Sequence, residues 1–219
     1  MIYAGLTVAV IGILLLTFAP EADAHKLLAV DPDNTMFQTA QQIPNPFEGS
    51  YFTLERFERE GQSHWYSFIG IEGEEIFIQT LVPDIDLSRD FTPCFDLLIG
   101  QDKATPEVMK KPFVEEFSGT EWIITCELTM TLPDDGLYYI RAHDELHHYS
   151  VGDTGKFSLG IGIEEDFTIF DWIQVPFWLM HMNLFFENNV LVWIMLVLVL
   201  ILAVIILVAI SRRGTNTRP

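Results

Sequence analysis

The side chains in this sequence best suited to bind a transition metal are its histidines. Four of them are candidates: His25, His143, His147 and His148. A chain cut after Ala24 would begin at His25, whose α-amino group and imidazole would chelate copper together, and imidazole is also a common zinc ligand. Two interpretations stay open at this point, a copper or zinc site that uses His25, or histidines solvated in loops.

The string HDELHH, which begins at His143, is only superficially similar to the zinc-protease motif. That motif requires the order H-E-x-x-H, which puts two histidines on one face of a helix beside a catalytic glutamate. Asp144 stands where the glutamate is required, and the flanking sequences GLYYIRA and GKFSLGIG are typical of strands. We interpret this stretch as a loop between two strands and expect no metalloprotease activity.

Carboxylates offer a second kind of metal site, because calcium prefers oxygen ligands at alternate positions of a loop. Two stretches have this spacing, Asp31-x-Asp33-Asn34 and Asp84-x-Asp86 followed by Asp90. Neither has the glycine and the terminal glutamate of an EF-hand. Calcium binding and ordinary turn residues both remain open.

Other catalytic signatures are missing from the sequence. It has no G-x-S-x-G elbow and neither a Walker nor a Rossmann glycine pattern. With 31 Asp and Glu residues, two carboxylates must lie close together by chance, so a glycosidase-like pair is no signal. We therefore expect a protein that is not an enzyme.

The elements that must position these side chains show apolar and polar residues alternating with a period of two. Gly, Pro and Asp clusters separate the alternating runs, and no amphipathic helix intervenes. This pattern predicts one mainly β domain over residues 25–164, an antiparallel and jelly-roll-like β-sandwich, with a long loop over residues 101–119. The predicted strands are Gly49–Leu54, His64–Ile69, Glu75–Leu81, Phe95–Ile99, Trp122–Thr131, Leu137–Ala142 and Lys156–Ile163.

A succession of short motifs runs through these strands. In order they are HWYSF from His64, Gly73-Glu74 before EIFIQTL, FDLLIG from Phe95, DDGLYYIRA from Asp134 and GKFSLGIG from Gly155. This order resembles the pre-peptidase C-terminal (PPC-like) β-sandwich family over about half of the chain. His64 departs from that family's pattern, which has an acidic residue at this position. The resemblance implies a non-catalytic domain used for binding, secretion or surface attachment, and it carries over no catalytic residue.

The two cysteines, Cys94 and Cys126, both lie in the predicted sandwich. In an oxidising compartment two thiols of one domain usually pair, and closing a loop of about 33 residues stabilises a fold by roughly 3 kcal/mol. We predict a disulfide between them; two buried free thiols are the alternative.

An uncharged apolar run from Val190 to Ile210 predicts a membrane-spanning helix. Its length of about 31 Å, at about 1.5 Å per residue, matches the hydrocarbon core of a bilayer. Arg212, Arg213 and Arg218 follow it, so the positive-inside rule predicts that the tail over residues 211–219 is cytoplasmic and the sandwich lies outside the cell membrane.

The start of the chain predicts export. An apolar run from Ala4 to Ala19 is followed by Ala22-Asp23-Ala24, a pattern of small residues typical of a cleavage site, so residues 1–24 are a predicted signal peptide. The usual basic residues before the run are missing, and an uncleaved second anchor is the alternative.

Residues 165–189 form the transition between the predicted sandwich and the predicted span. Five aromatic residues there are of the kind that sit at lipid headgroups: Trp172, Phe177, Trp178, Phe185 and Phe186. Phe170, Ile173, Phe177, Met180 and Leu184 recur at helical spacing. We predict an amphipathic helix at the membrane interface, and a surface for a partner's transmembrane helix is the alternative.

The charge of the chain limits its partners. With 12 Lys and Arg against 31 Asp and Glu, its net charge is -19, so its surface repels nucleic acid. We therefore predict a membrane-anchored, non-catalytic binding or accessory protein that recognises another envelope or membrane protein or a glycan. An exported protein that binds copper or zinc through His25 is the alternative function.

Overall fold

The structure is a computed structural model, and it describes residues 25–59, 61–85, 91–115, 118–144, 155–162, 168–190 and 192–194, with single or paired positions from 197 to 208. The predicted signal peptide and the predicted cytoplasmic tail lie outside these residues. Within them, no helix combines the length and the apolar character that crossing a membrane requires.

The described residues form twelve strands, which build two sheets. The first sheet has the order β1-β3-β12-β6-β10-β9, with β4 also paired to β12, and the second has the order β2-β5-β11-β7-β8. The strands are β1 (Lys26–Leu27), β2 (Gln41–Gln42), β3 (Tyr51–Phe52), β4 (Glu55–Arg56), β5 (Ser63–Gly70), β6 (Glu75–Pro83), β7 (Cys94–Ile99), β8 (Asp102–Ala104), β9 (Lys111–Glu115), β10 (Thr120–Thr131), β11 (Gly136–His143) and β12 (Lys156–Ile161).

The prediction of a mainly β sandwich is confirmed, but the sheets are mixed and not purely antiparallel. β1 runs parallel to β3, and β2 runs parallel to β5, whereas the other described pairs are antiparallel. Both parallel strands belong to the N-terminal segment, which adds one short strand to the edge of each sheet. Two-residue strands are too short to show a period, so the alternation in the sequence did not reveal them.

The alternation along the long strands separates the core from the outer faces. In β5, Tyr66 and Phe68 are fully buried in the core, while Trp65 lies on the opposite face. The predicted disulfide is confirmed: Cys94 at the start of β7 and Cys126 in β10 are bonded, with their Cα atoms 5.3 Å apart. The bond therefore joins the two sheets.

One long helix, α1 (Ile169–Phe185), packs on the outer face of the first sheet. It begins with a capping box in which the Thr168 side chain and Asp171 exchange hydrogen bonds with each other's backbone N–H. Met182 packs with Trp122 and other residues of the sheet, and Asp171 forms an ion pair of 3.2 Å with Lys26. The first sheet is thus covered, and the outer face of the second sheet carries no helix among the described residues.

Candidate functional site

The outer face of the second sheet brings three large side chains together from β5 and β11. The register pairs Trp65 with Arg141, and the Arg141 guanidinium carbon lies 5.9 Å from the centroid of the Trp65 ring. Phe37, from a short 3-10 turn over Phe37–Thr39, adds its ring 5.5 Å from Trp65 and 4.2 Å from Tyr139. We call the set Phe37, Trp65, Tyr139 and Arg141 the aromatic face.

Asp96 of β7 connects this face to a cluster of hydrogen-bond donors. Its Oδ1 accepts hydrogen bonds from the Thr105 hydroxyl at 2.6 Å and from the Lys103 ammonium at 2.9 Å. Its Oδ2 lies 3.4 Å from His143 Nε2 and 3.8 Å from Arg141 Nη1. The carboxylate therefore fixes the positions of two cations beside the aromatic face.

The environment of Asp96 keeps it ionised. Burial alone raises the pKa of its carboxyl, but the hydrogen bonds from Thr105 and Lys103 and the charges of His143 and Lys103 outweigh burial. The net pKa of Asp96 is therefore below its ordinary value of 3.8. Its oxygens are occupied by these donors, which makes it a positioning group and a poor general base.

The polar side chains of this face reach solvent even though Asp96 does not. Lys103 and Arg141 are each about half exposed, whereas Asp96 is buried beneath them. Ring faces next to exposed hydrogen-bond donors and acceptors are what a binding site requires, since apolar contact gives affinity and polar groups give orientation. The arrangement is suited to binding a ligand.

A second polar cluster lies inside the sandwich around His64, the residue that departs from the family pattern. The Nδ1 atom of His64 lies 2.7 Å from Glu55 Oε2 and 2.8 Å from Asn34 Oδ1. Asn34 Nδ2 donates to Glu55 Oε2 at 3.0 Å, and the Tyr66 hydroxyl donates to the other carboxylate oxygen. The rings of Phe57 and Phe157 enclose the imidazole. All four polar residues are buried, so this cluster is part of the core.

The two candidate metal-binding histidines that the structure describes, His25 and His143, lie in different parts of the fold. His25 lines a cleft between the first sheet and α1, while His143 ends β11 in the second sheet beside Asp96. His147 and His148 lie outside the described residues. Among the residues that the structure describes, no three His, Cys, Asp or Glu side chains are arranged to hold a metal ion.

The first candidate calcium stretch forms an ordinary turn. The carboxylate of Asp31 accepts a hydrogen bond from the backbone N–H of Asp33 at 3.0 Å, as aspartate does in turns. Asn34 is buried and its amide is held by Glu55 and His64, so it does not point towards a cation in the loop. In the second stretch, Asp86 and Asp90 lie outside the described residues.

The aromatic residues predicted to lie at a membrane interface are distributed over two faces of α1. Phe185 and Phe186 pack on Trp122, with ring centroids 6.1 Å and 4.7 Å from it, so they attach the helix to the sheet. Trp178 lines the cleft between α1 and the sheet, and Phe177 is exposed. Trp172 lies in the helix, and its side chain is outside the described residues.

Lys156 of β12 holds the C-terminal end of α1 in place. The side chain is buried, and its Nζ atom donates to the Phe185 carbonyl oxygen and to Glu187 Oε1, both at 2.7 Å. Glu187 follows the helix with a φ of 60°, a left-handed conformation that ordinarily favours glycine at this position. The ion pair with Lys156 offsets the strain of a side chain there.

Replacing Lys156 with methionine is expected to release the end of α1 from the sheet. Methionine keeps the apolar stem but leaves the Phe185 carbonyl without its donor, at a cost of about 1–3 kcal/mol. Hydrogen exchange of the amides around residues 182–188 should accelerate at least tenfold, while the strands of the second sheet stay protected. Lys111→Met is the matched control, because Lys111 is exposed and forms a 3.4 Å pair with Glu127. Equal protection in both variants would contradict this role for Lys156.

The contact also has a pH dependence with a definite sign. The hydrogen bond from Lys156 holds the pKa of Glu187 below its ordinary value of 4.5. The stabilisation is therefore complete above that ordinary value and is lost as the pH falls through the pKa of the folded state. In wild type, the protection factors of the amides at the end of α1, corrected for the intrinsic exchange rate at each pH, should fall in acid before those of the strands do.

Sequence reasoning missed Asp96, Lys103, Arg141 and Lys156. Asp96 left a usable signal, because a charged residue inside the apolar strand CFDLLI requires partners when the strand is buried. The partners themselves could not be identified, since they come from β8 and β11 and their proximity depends on the strand order. Lys156 left no signal, because its acceptors lie about thirty residues away at the end of a helix.

The fold and this face together define a two-sheet β-sandwich with a helix docked on one sheet and an open aromatic face on the other. Solved structures to which the chain is similar include the pre-peptidase C-terminal domain of a collagenase from Bacillus anthracis, with a TM-score of 0.33 and 12% identity over 57% of this chain and 94% of that chain. A periplasmic inhibitor of g-type lysozyme from Escherichia coli is another, with a TM-score of 0.31 and 12% identity over 64% of this chain and 100% of that chain.

The first of these structures is a domain of the family that the strand motifs resemble. No family model matches the chain, and no curated protein is similar to it. Nothing about function follows from the two structural likenesses.

Proposed function

We propose that this chain is a non-catalytic binding module, anchored in the cell membrane by the apolar segment over residues 190–210 with the sandwich outside and the C-terminus in the cytoplasm. The observation that carries the proposal is the aromatic face on the sheet opposite α1. Because α1 leads directly into the apolar segment, the first sheet is the side connected to the anchor. The aromatic face belongs to the other sheet and is free to meet a ligand.

The ligand class that suits this face best is a neutral glycan. The electron-rich faces of Phe37, Trp65 and Tyr139 attract the C–H groups of a pyranose ring, while Arg141 and Lys103 donate hydrogen bonds to its hydroxyl groups. An acidic polymer is disfavoured, because the chain carries a net charge of -19 and Asp96 balances one of the two positive charges of Lys103 and Arg141.

The test measures binding of purified full-length protein to soluble polysaccharides by calorimetry and by retardation in affinity gels. A neutral β-glucan and a neutral mannan are the probes, and polygalacturonate is the acidic comparison. Wild type is expected to bind a neutral polymer and to show no binding to the acidic one. Tyr139→Ala and Arg141→Ala should each weaken binding tenfold or more, because each removes a contact at the centre of the face.

Ile69→Ala provides the matched control, since Ile69 is exposed on the same side of β5 as Trp65, towards the end of the strand, and belongs to no ring contact of the face. Its affinity should stay within twofold of wild type. Capture of an envelope protein that depends on Tyr139, without polysaccharide binding, would replace the glycan with a protein ligand. If neither a polysaccharide nor an envelope protein binds, the proposed binding function is wrong.

A further inference from the structure

The exposed side of α1 carries an apolar stripe that the sandwich does not cover. Phe170, Phe177 and Leu184 are spaced seven residues apart, and their exposed fractions are 75%, 59% and 47%. Ile173 and Met180 complete the spacing of three and four residues in the sequence. The contacts with the first sheet use other positions, among them Met182, Phe185 and the cleft-lining Trp178.

We propose that this stripe pairs with the same stripe of a second copy of the chain, so that two α1 helices lie parallel in a symmetric dimer. A repeat of three and four residues is the spacing that two parallel helices bury between them. Two copies held in one membrane are related by an axis along the membrane normal, and two α1 helices that run along this axis towards the apolar segment are parallel. Each apolar side chain then meets its own counterpart, as a two-fold interface requires.

Charge favours a second copy at this face over any other part of the surface. The chain carries a net charge of -19, so two sandwiches repel each other wherever their acidic surfaces meet. Asp171 is the only Asp, Glu, Lys or Arg in α1, and it is paired with Lys26. The residues beside the stripe, Gln174 and His181, carry no formal charge when the histidine is neutral, so the two faces meet without like charges.

A groove beside the stripe extends the apolar surface from the helix onto the N-terminal segment. It is lined by Leu28, Val30 and Leu54 together with Phe177 and Trp178. A helix of 17 residues is about 25 Å long and buries less area than the roughly 1,200 Å² of a stable interface in water. Association is therefore reversible and depends on the concentration that a shared membrane provides.

Cysteine cross-linking of full-length protein in membranes tests the proposal. Phe170→Cys, Phe177→Cys and Leu184→Cys are oxidised with copper phenanthroline and run on non-reducing gels. All three should give at least five times more dimer than Leu137→Cys, an equally exposed control on the second sheet. Gln174→Cys and His181→Cys should give intermediate amounts, because they flank the stripe.

A second variant makes the result independent of the oxidant. Phe177→Glu should shift the protein from dimer to monomer in mild detergent, as measured by sedimentation, while its native disulfide and its polysaccharide binding stay unchanged. If the three cysteine variants of the stripe form no more cross-linked dimer than Leu137→Cys, the proposal is overturned. Cross-links to a different protein would overturn it in favour of a partner helix. Labelling of the stripe by a lipid-borne reagent, without a dimer, would overturn it in favour of a lipid surface.

The inference rests on the proposed function only for the membrane anchor that orients the two copies. Because the glycan test uses the aromatic face and the cross-linking test uses α1, either proposal can fail while the other stands. A dimer that binds no glycan would leave the pairing intact. Glycan binding by a monomer would leave the binding function intact.

Discussion

Replacing Glu55 with alanine is expected to destabilise the sandwich by about 3–5 kcal/mol. The carboxylate accepts hydrogen bonds from three buried partners, His64, Asn34 and Tyr66. Its removal leaves the Asn34 amide and the Tyr66 hydroxyl in the core without this acceptor and takes away one of the two acceptors beside His64 Nδ1. Each buried unsatisfied group costs about 1–3 kcal/mol.

Urea unfolding followed by circular dichroism measures this effect on the sandwich. Glu55→Ala should lower the midpoint strongly with little change in the dependence of the free energy on urea, as a loss of native stability does. Glu58→Ala is the control, because Glu58 follows three residues later and is exposed. It should stay within about 0.5 kcal/mol of wild type. If both substitutions cost the same, the buried cluster contributes no specific stability.

Replacing both Cys94 and Cys126 with alanine should lower the free energy of unfolding by roughly 3 kcal/mol. The disulfide closes a loop with a sequence separation of 32, and its removal restores conformational freedom to the unfolded chain. Both sulfur positions are buried, so the lost contacts add to this cost. The effect is larger than that of most surface changes because the bond joins the two layers of the fold.

A reducing agent supplies an independent version of the same experiment. Wild type unfolded in the presence of a phosphine reductant should lose about as much stability as the double variant, whereas the double variant should not respond to the reductant. Stability of wild type that is unchanged by the reductant, after thiol labelling has shown that the bond is open, would contradict the prediction.

Six long strands were predictable because a strand that packs one face on the core shows a period of two in its sequence. Glu75–Leu81 was predicted and the observed β6 runs over Glu75–Pro83; the other predicted strands agree with the observed ones to a similar degree, apart from Gly49–Leu54, which contains only β3. Short edge strands escaped prediction. β8 and β9 lie inside the stretch predicted as a loop, and Pro112 in β9 is tolerated because that strand pairs on one side only.

The candidate site was less accessible to sequence reasoning than the fold. The period of two separates Trp65 from Tyr66 and Phe68 in the sequence, and the structure places them on opposite faces of β5. Its neighbours on that face were not predictable, because Arg141 reaches Trp65 only through the pairing of β5 with β11, more than seventy residues later in the chain. The metal site on the histidines stays a prediction, since His147 and His148 lie outside the described residues.

The pairing of the N-terminal strands with the last strand has a consequence for the order of events during synthesis. β12 lies inside the first sheet, between β3 and β6, and Phe52 pairs with Gly160. The sheet therefore cannot close until the ribosome has added the final strand. Folds dominated by such distant contacts form slowly, because a long loop must close before any contact compensates for the lost entropy. The first sheet of the nascent chain thus stays incomplete until residues 156–161 have been synthesised.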